Sequence, residues 1–218
     1  MSMIVKSEGN NPIPNLEPGV YTGQALALID IGLQENQMFK NKQRKLIIIW
    51  NILGETVTIK DEELPRVMSK EYTMSLGDKS TLRKDLEAWR GKAFSQEELQ
   101  GFDLENILNT ACQLQVNEQE KNGRTYTNIA SIMALPKGTT IDKLEETYTF
   151  NFFDETTWQN YEKIPNWIKE KIKKALNLVE TGLEAYIQDY EEIKKEQEGK
   201  EEEANSNNIE DTKTGLPF

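Results

Sequence analysis

Val67-Met68-Ser69-Lys70-Glu71-Tyr72-Thr73-Met74-Ser75-Leu76 runs through Gly77-Asp78-Lys79-Ser80 into Thr81-Leu82-Arg83-Lys84-Asp85-Leu86-Glu87-Ala88-Trp89-Arg90-Gly91. Within this run the hydrophobic period changes from two to about 3.6. Met68, Tyr72, Met74 and Leu76 fall on one side, with Ser69, Glu71, Thr73 and Ser75 alternating on the other, which predicts a strand from about Val67 to Leu76. Leu82, Leu86 and Trp89 then recur at i, i+4 and i+7, so a helix is expected from Ser80 to about Arg90. Ser80 or Asp78 can cap its first N–H groups, and Gly91 stops it.

Two strands precede this unit. Gly19 to Ile31 is apolar and β-branched enough for one long curved strand, with Gly23 expected at a bend or bulge. A polar, basic loop from Gln34 to Lys45 separates it from Leu46-Ile47-Ile48-Ile49-Trp50-Asn51-Ile52-Leu53, a buried strand that Thr56–Ile59 extends through a turn. Downstream, Ser95-Gln96-Glu97-Glu98 is a capping-box pattern opening a short helix. A helical turn between Asp103 and Leu108 leads to the strand Cys112–Asn117. Asn122-Gly123 is a two-residue hairpin signal, and Thr125 to Met133 returns. Three strands, a helix and two strands match a mainly β, five-stranded OB-fold barrel with its helix between the third and fourth strands. The competing arrangement, an open sheet with a packed helix, leaves its edges exposed.

The chain divides by composition. Residues 1–18, rich in Asn and Pro, read as a flexible arm without a signal-peptide pattern, and 19–138 form the barrel. Residues 139–190 read as an extension: Tyr148-Thr149-Phe150-Asn151-Phe152-Phe153 supplies an extra strand. A helix from Ile164-Pro165 repeats Ile168, Ile172, Ala175, Leu176 and Val179 on one face. Residues 191–218 lose apolar anchors and read as a disordered acidic tail. No apolar run approaches a membrane span, so a cytoplasmic setting is expected.

The chemistry is narrowed by what is missing. The 218 residues contain no His and one Cys, which removes histidine-assisted nucleophiles, most zinc sites and an intrachain disulfide. Cys112 reads as a small buried hydrophobe. No compact Asp/Glu cluster on a strand end suggests a metal-dependent nuclease, so the expectation is a non-catalytic protein with no cofactor and no metal. The net charge of −11 opposes nucleic-acid binding, but residues 191–218 carry nine acidic and four basic residues, leaving −6 on the body. Local clusters and stacking must offset that charge.

Phe39-Lys40-Asn41-Lys42-Gln43-Arg44-Lys45 packs four cations and one aromatic into seven positions of the expected first loop. Such a loop lines the ligand face of an OB-fold, and each neutralised phosphate releases counterions; the plain alternative is an ordinary charged hairpin. Trp50, Tyr72 and Tyr126 lie on the groove strands and Phe39 on its rim, where flat rings suit unpaired bases, although strand aromatics are more often core. Lys121 and Arg124 flank the second loop, and Lys79 with Arg83 and Lys84 stands at the helix start, diluted by Asp78 and Asp85. In the tail, Glu201-Glu202-Glu203 and Glu210-Asp211 precede Gly215-Leu216-Pro217-Phe218, an acidic leader with an apolar tip suited to a partner's hydrophobic pocket beside an arginine.

The Pro217-Phe218 ending resembles the acidic tip of bacterial single-stranded DNA-binding proteins, with fewer acidic residues among the last six. Tyr72–Leu76, Lys79–Arg83, Trp89–Lys92, Phe102–Leu104, Tyr126–Ile129 and Ile164–Ile168 resemble replication-module proteins of bacteriophages that bind single-stranded DNA. The likeness covers roughly residues 15–180. It implies an OB-fold and partners in replication or recombination; apart from that likeness, the residues leave both a single chain and a homo-oligomer open. Asn109 stands where that pattern has glycine; Asn also tolerates a left-handed backbone. The expected function is therefore largely sequence-independent single-stranded DNA binding, with Leu216, Pro217 and Phe218 recruiting partners. The rival from a different class is a protein-interaction adaptor or inhibitor on the same barrel.

Overall fold

β1 (Gly19–Glu35) is hydrogen-bonded to two antiparallel neighbours along different parts of its length. In the computed structural model, which describes residues 14–36, 40–59, 62–121 and 123–210, its beginning lies against β4 (Ala111–Lys121), from Gly19 opposite Val116 to Gln24 opposite Ala111. From Gly23 onward its other edge carries β2 (Lys42–Ile59), ending with Glu35 opposite Lys42. Serving both requires a bend, and register shifts between Ala25 and Ala27 and between Asp30 and Leu33 supply it. Gly23 is needed for a different reason than the expected bend. A Cβ there would sit 2.4 Å from the Leu114 side chain, so glycine makes room for the core.

β3 (Glu62–Thr73) adds to β2 and β5 (Arg124–Met133) to β4, giving the order β3-β2-β1-β4-β5 in a mainly β, curled half-barrel sheet. Pro65 is accommodated in β3 because, among the described residues, that strand has only β2 as a ladder partner. No β-ladder joins β3 to β5 among the described residues. α1 (Thr81–Arg90) fills one end of this seam with Leu82, Leu86 and Trp89. At the other end the Arg66 guanidinium donates to the Pro14 carbonyl, Asn15 Nδ2 donates to the Thr125 carbonyl at 2.8 Å, and Leu16 enters the core.

The local expectations around α1 hold. Ser80 Oγ accepts from the Arg83 N–H, and Gly91 closes the helix at φ 67°. Ser95 and Glu98 make both bonds of a capping box at α2 (Gln96–Gln100). Asn109 adopts φ 59°, the left-handed turn foreseen for it. Its Oδ1 also accepts from Gln24 Nε2 and from the Leu144 N–H, each at 2.8 Å, which a glycine could not do. Lys121 pairs with Arg124 across the hairpin turn, and Gly123 takes φ 71°.

Several boundaries differ. β1 continues to Glu35 and β2 starts at Lys42, so much of the expected basic loop is ladder: Gln34 opposes Gln43 and Glu35 opposes Lys42. Opposite charges and paired amides across the strands make this polar stretch compatible with pairing. β3 begins at Glu62, because Glu62–Pro65 pairs with Thr56–Ile59 beyond the Asn51–Thr56 irregularity.

The isoleucine run is buried on both sides. Ile48 joins the inner core with Leu28, Leu46 and Trp50, while Ile47 and Ile49 face an outer core with Ala27, Ile29 and Ile31. The segment from 148 onward covers that outer face. β6 (Tyr148–Phe150) pairs in parallel with Ala27–Ile29 of β1, and α3 (Asn166–Lys173) brings Ile168 and Ile172 onto the isoleucines. The helical repeat expected to reach Val179 stops earlier. Leu176 N–H donates to the Leu33 carbonyl and Asn177 Oδ1 accepts from the Leu33 N–H, both at 2.8 Å, so satisfying a strand edge outcompetes another helical turn. Val179 is consequently 72% exposed. α4 (Leu183–Glu210) seats Leu183 and Ile187 in the outer core and continues as helix past residue 191, where a disordered tail was expected. Between residues 191 and 203 Glu and Lys dominate, and both favour helix. Among the described residues, no helix is long and apolar enough to cross a membrane.

Gly32 lies close against the extension. Its φ is +72°, and an added Cβ would lie 2.6 Å from the Phe152 ring and 2.9 Å from Ala175 Cβ. Gly32→Ala should therefore lower unfolding stability by about 2–4 kcal/mol, combining left-handed strain with overpacking, as read from urea denaturation. Burial pushes the Cys112 thiol up to about 12. Iodoacetamide at pH 8 should leave the native protein unlabelled and label it after urea unfolding.

Candidate nucleic-acid interface

The strand alternation places Trp50 inward, and burial decides its role. Trp50 is 0% exposed and its ring centroid lies 5.8 Å from that of Trp89. Tyr72 is 2% exposed, and its hydroxyl donates to Asp85 Oδ2 at 2.9 Å. Burial, reinforced by the Asp85 charge, holds its ionisation far above the ordinary tyrosine range. Both were expected as stacking platforms; both are core, because the inner concavity of a closing sheet has to be filled by side chains.

The cations of the first loop separate into two groups. Arg44 Nε donates to Asp30 Oδ2 at 2.9 Å with Nη2 on the same oxygen, and its guanidinium lies 4.7 Å above the Phe153 ring. Asp30 is buried and also accepts the Gly32 N–H at 3.0 Å, so this pair braces the second bulge of β1. Lys45 Nζ donates to Thr73 Oγ1 at 3.0 Å and lies 3.8 Å from Glu71. Lys40, at φ 48°, and Lys42 are exposed and make no ion pair among the described residues. Phe39 lies outside the described residues, as do Leu216, Pro217 and Phe218. For Lys121 and Arg124 the backbone supports the expected hairpin position. Lys79 is exposed beside the start of α1.

Tyr126 is 46% exposed on β5, opposite Gln119 of β4. It shares the outer sheet surface with Val20 of β1 and Met133 of β5, which are also exposed. Thr22, Gln113, Gln115, Asn117, Asn128 and Ser131 complete the same face, so this half offers amides and hydroxyls with a few apolar contacts. The other half of the outer face is the one covered by β6 and α3.

A second group joins the anticipated Lys45 to Glu71, Lys171 and Trp167, which were not anticipated as site residues. Glu71 leaves β3 on the outer face and meets lysines from two other elements: Lys171 Nζ of α3 at 2.6 Å and Lys45 Nζ of β2 at 3.8 Å. Trp167, one turn before Lys171, is 50% exposed, with Lys171 Nζ 5.9 Å from its ring centre. Beside this group opens a cleft of about 660 Å³ lined by Gln43, Lys45, Glu71, Thr73, Lys79 and Ser80, among others. Trp167 and Lys171 are i, i+4 neighbours on one helix, a spacing visible in the sequence. Their approach to β2 and β3, about 100 residues away in the chain, is not.

No protein-family model matches this chain, and no curated protein matches it either.

The burial of Trp50 yields a direct check. Trp50→Ala should cost about 3–5 kcal/mol of unfolding free energy in urea titration. Unchanged stability in that variant would contradict a core role.

Proposed function

We propose that this chain is a non-catalytic single-stranded DNA-binding protein built on an OB-fold that remains open along the β3–β5 seam. The observation that carries the reading is the strand order β3-β2-β1-β4-β5 with α1 inserted between β3 and β4 and packed into the seam. That topology presents a curved outer face between the β1–β2 and β4–β5 turns, a shape suited to an unpaired strand. In this reading Tyr126 stacks on a base, neighbouring amides meet base edges without selecting one sequence, and Lys40 and Lys42 contact phosphates. Stacking by Trp50 and Tyr72 is not part of it. The acidic segment ending in Leu216, Pro217 and Phe218 is proposed, from its composition, as the arm that recruits replication or recombination partners in a bacterial cytoplasm.

Two observations favour the adaptor reading instead: Arg44, Lys45 and Arg83 already have carboxylate partners, and Val20, Val67 and Met133 present apolar surface. The two readings part on affinity for nucleic acid. Fluorescence anisotropy with labelled oligo-dT should show tight binding at low salt that weakens as salt rises, and much weaker binding to the matching duplex. Tyr126→Ala should lose about 1–3 kcal/mol of binding. A Lys40→Ala/Lys42→Ala variant should flatten the log–log salt dependence by about 0.7 for each phosphate contact removed. Absence of binding at low ionic strength would reject the proposal in favour of the adaptor.

A further inference from the structure

Glu71 sits where two lysines from distant parts of the chain converge. Lys171 Nζ approaches it at 2.6 Å and Lys45 Nζ at 3.8 Å, and neither lysine has another carboxylate partner among the described residues. Two ammonium groups directed at one carboxylate are also arranged to hold a phosphate, which offers more acceptor oxygens and more charge. Lys79, with no ion pair among the described residues, lines the same cleft of about 660 Å³ as Lys45. Asp78, the other carboxylate in that cleft, is held by Arg83 at 2.6 Å. Trp167 supplies a half-exposed indole at the edge of the group. Phosphate-binding cations beside an exposed flat ring are the two components of a subsite for an unpaired nucleotide.

We infer that the junction of β2, β3 and α3 is a nucleotide subsite: Trp167 stacks on a base while Lys45 and Lys171 take the adjoining phosphate, displacing Glu71. The inference rests on the single-stranded DNA reading and extends the strand's path onto the segment after residue 148, beyond the barrel itself. Glu71 acts here as an internal competitor. It keeps the two lysines in place when the strand is absent, and its negative charge must yield when the phosphate enters. Removal of that charge with retention of shape should therefore strengthen binding.

The four tryptophans provide an unusually specific readout. Trp50, Trp89 and Trp158 are buried, which leaves Trp167 as the one able to stack on a base. Oligo-dT should quench the intrinsic fluorescence of the full chain, and Trp167→Phe should abolish the quench while anisotropy of the labelled oligonucleotide still reports binding. Trp167→Ala should weaken that binding by about fivefold to a hundredfold, the range for one lost base stack. Glu71→Gln should tighten it about two- to fivefold at low salt, the range for an exposed ion pair. Circular dichroism of each variant checks that the fold is retained. Binding with a quench that survives in Trp167→Phe, or a Glu71→Gln affinity that is unchanged or lower, would overturn the subsite while leaving the broader reading intact. No anisotropy change for the unaltered chain would overturn both.

Discussion

The middle stretches of β1 and β2 are buried on both faces, and this double burial conditions the rest of the molecule. Ile48 and Trp50 need an inner core, so the sheet curls and α1 packs into its seam. Ile29, Ile47 and Ile49 need an outer cover, so residues after 148 return across the sheet. Each fully buried aliphatic side chain contributes roughly 1.5–3 kcal/mol relative to exposure, so uncovering that face would cost more than most domains can spare. The extension is therefore as much a part of the fold as the curled sheet. Its anchoring is polar as well as apolar, since Leu33 exchanges hydrogen bonds with Leu176 and Asn177.

That cover redistributes the surface left for a ligand. A curled sheet whose outer face were wholly free could place a strand across β2 and β3. Here α3 occupies the upper part, leaving polar ground around Tyr126 at one side and the Lys45–Glu71–Lys171 junction at the other. The extension brings its own cation and indole to the boundary it creates. Structural cover and candidate binding surface are thus contributed by the same helix, with Ile168 and Ile172 facing inward and Trp167 outward.

Ion pairing explains why a run of cations is a poor guide by itself. Arg44 looks identical to Lys42 in a basic heptapeptide, yet it braces a bulge through Asp30, whereas Lys42 remains in solvent. The difference lies in one carboxylate that the bend of β1 buries beneath it. Net charge needs the same reading: carboxylates such as Asp78, Asp85 and Glu87 face neighbouring cations, so the excess negative charge is carried by other residues.

Local signals determined the elements whose causes are local. Ser80 and Gly91 bounded α1, Ser95 and Glu98 closed a capping box, Gly123 marked a hairpin, and Asn109 took the left-handed turn that its side chain tolerates. Apolar, β-branched runs likewise marked β1 and β2, and period-two alternation marked β3, whereas nothing local separated Tyr126 from Trp50 and Tyr72. The tertiary structure decided which aromatic is core and which is surface. Trp50 and Trp167 each stand beside isoleucine in sequence, and only the folded chain buries the first behind Trp89 and leaves the second half exposed. It also ended α3 early and joined Lys45, Glu71 and Lys171, since these outcomes depend on groups scores of residues apart whose meeting is set by packing, not by local periodicity.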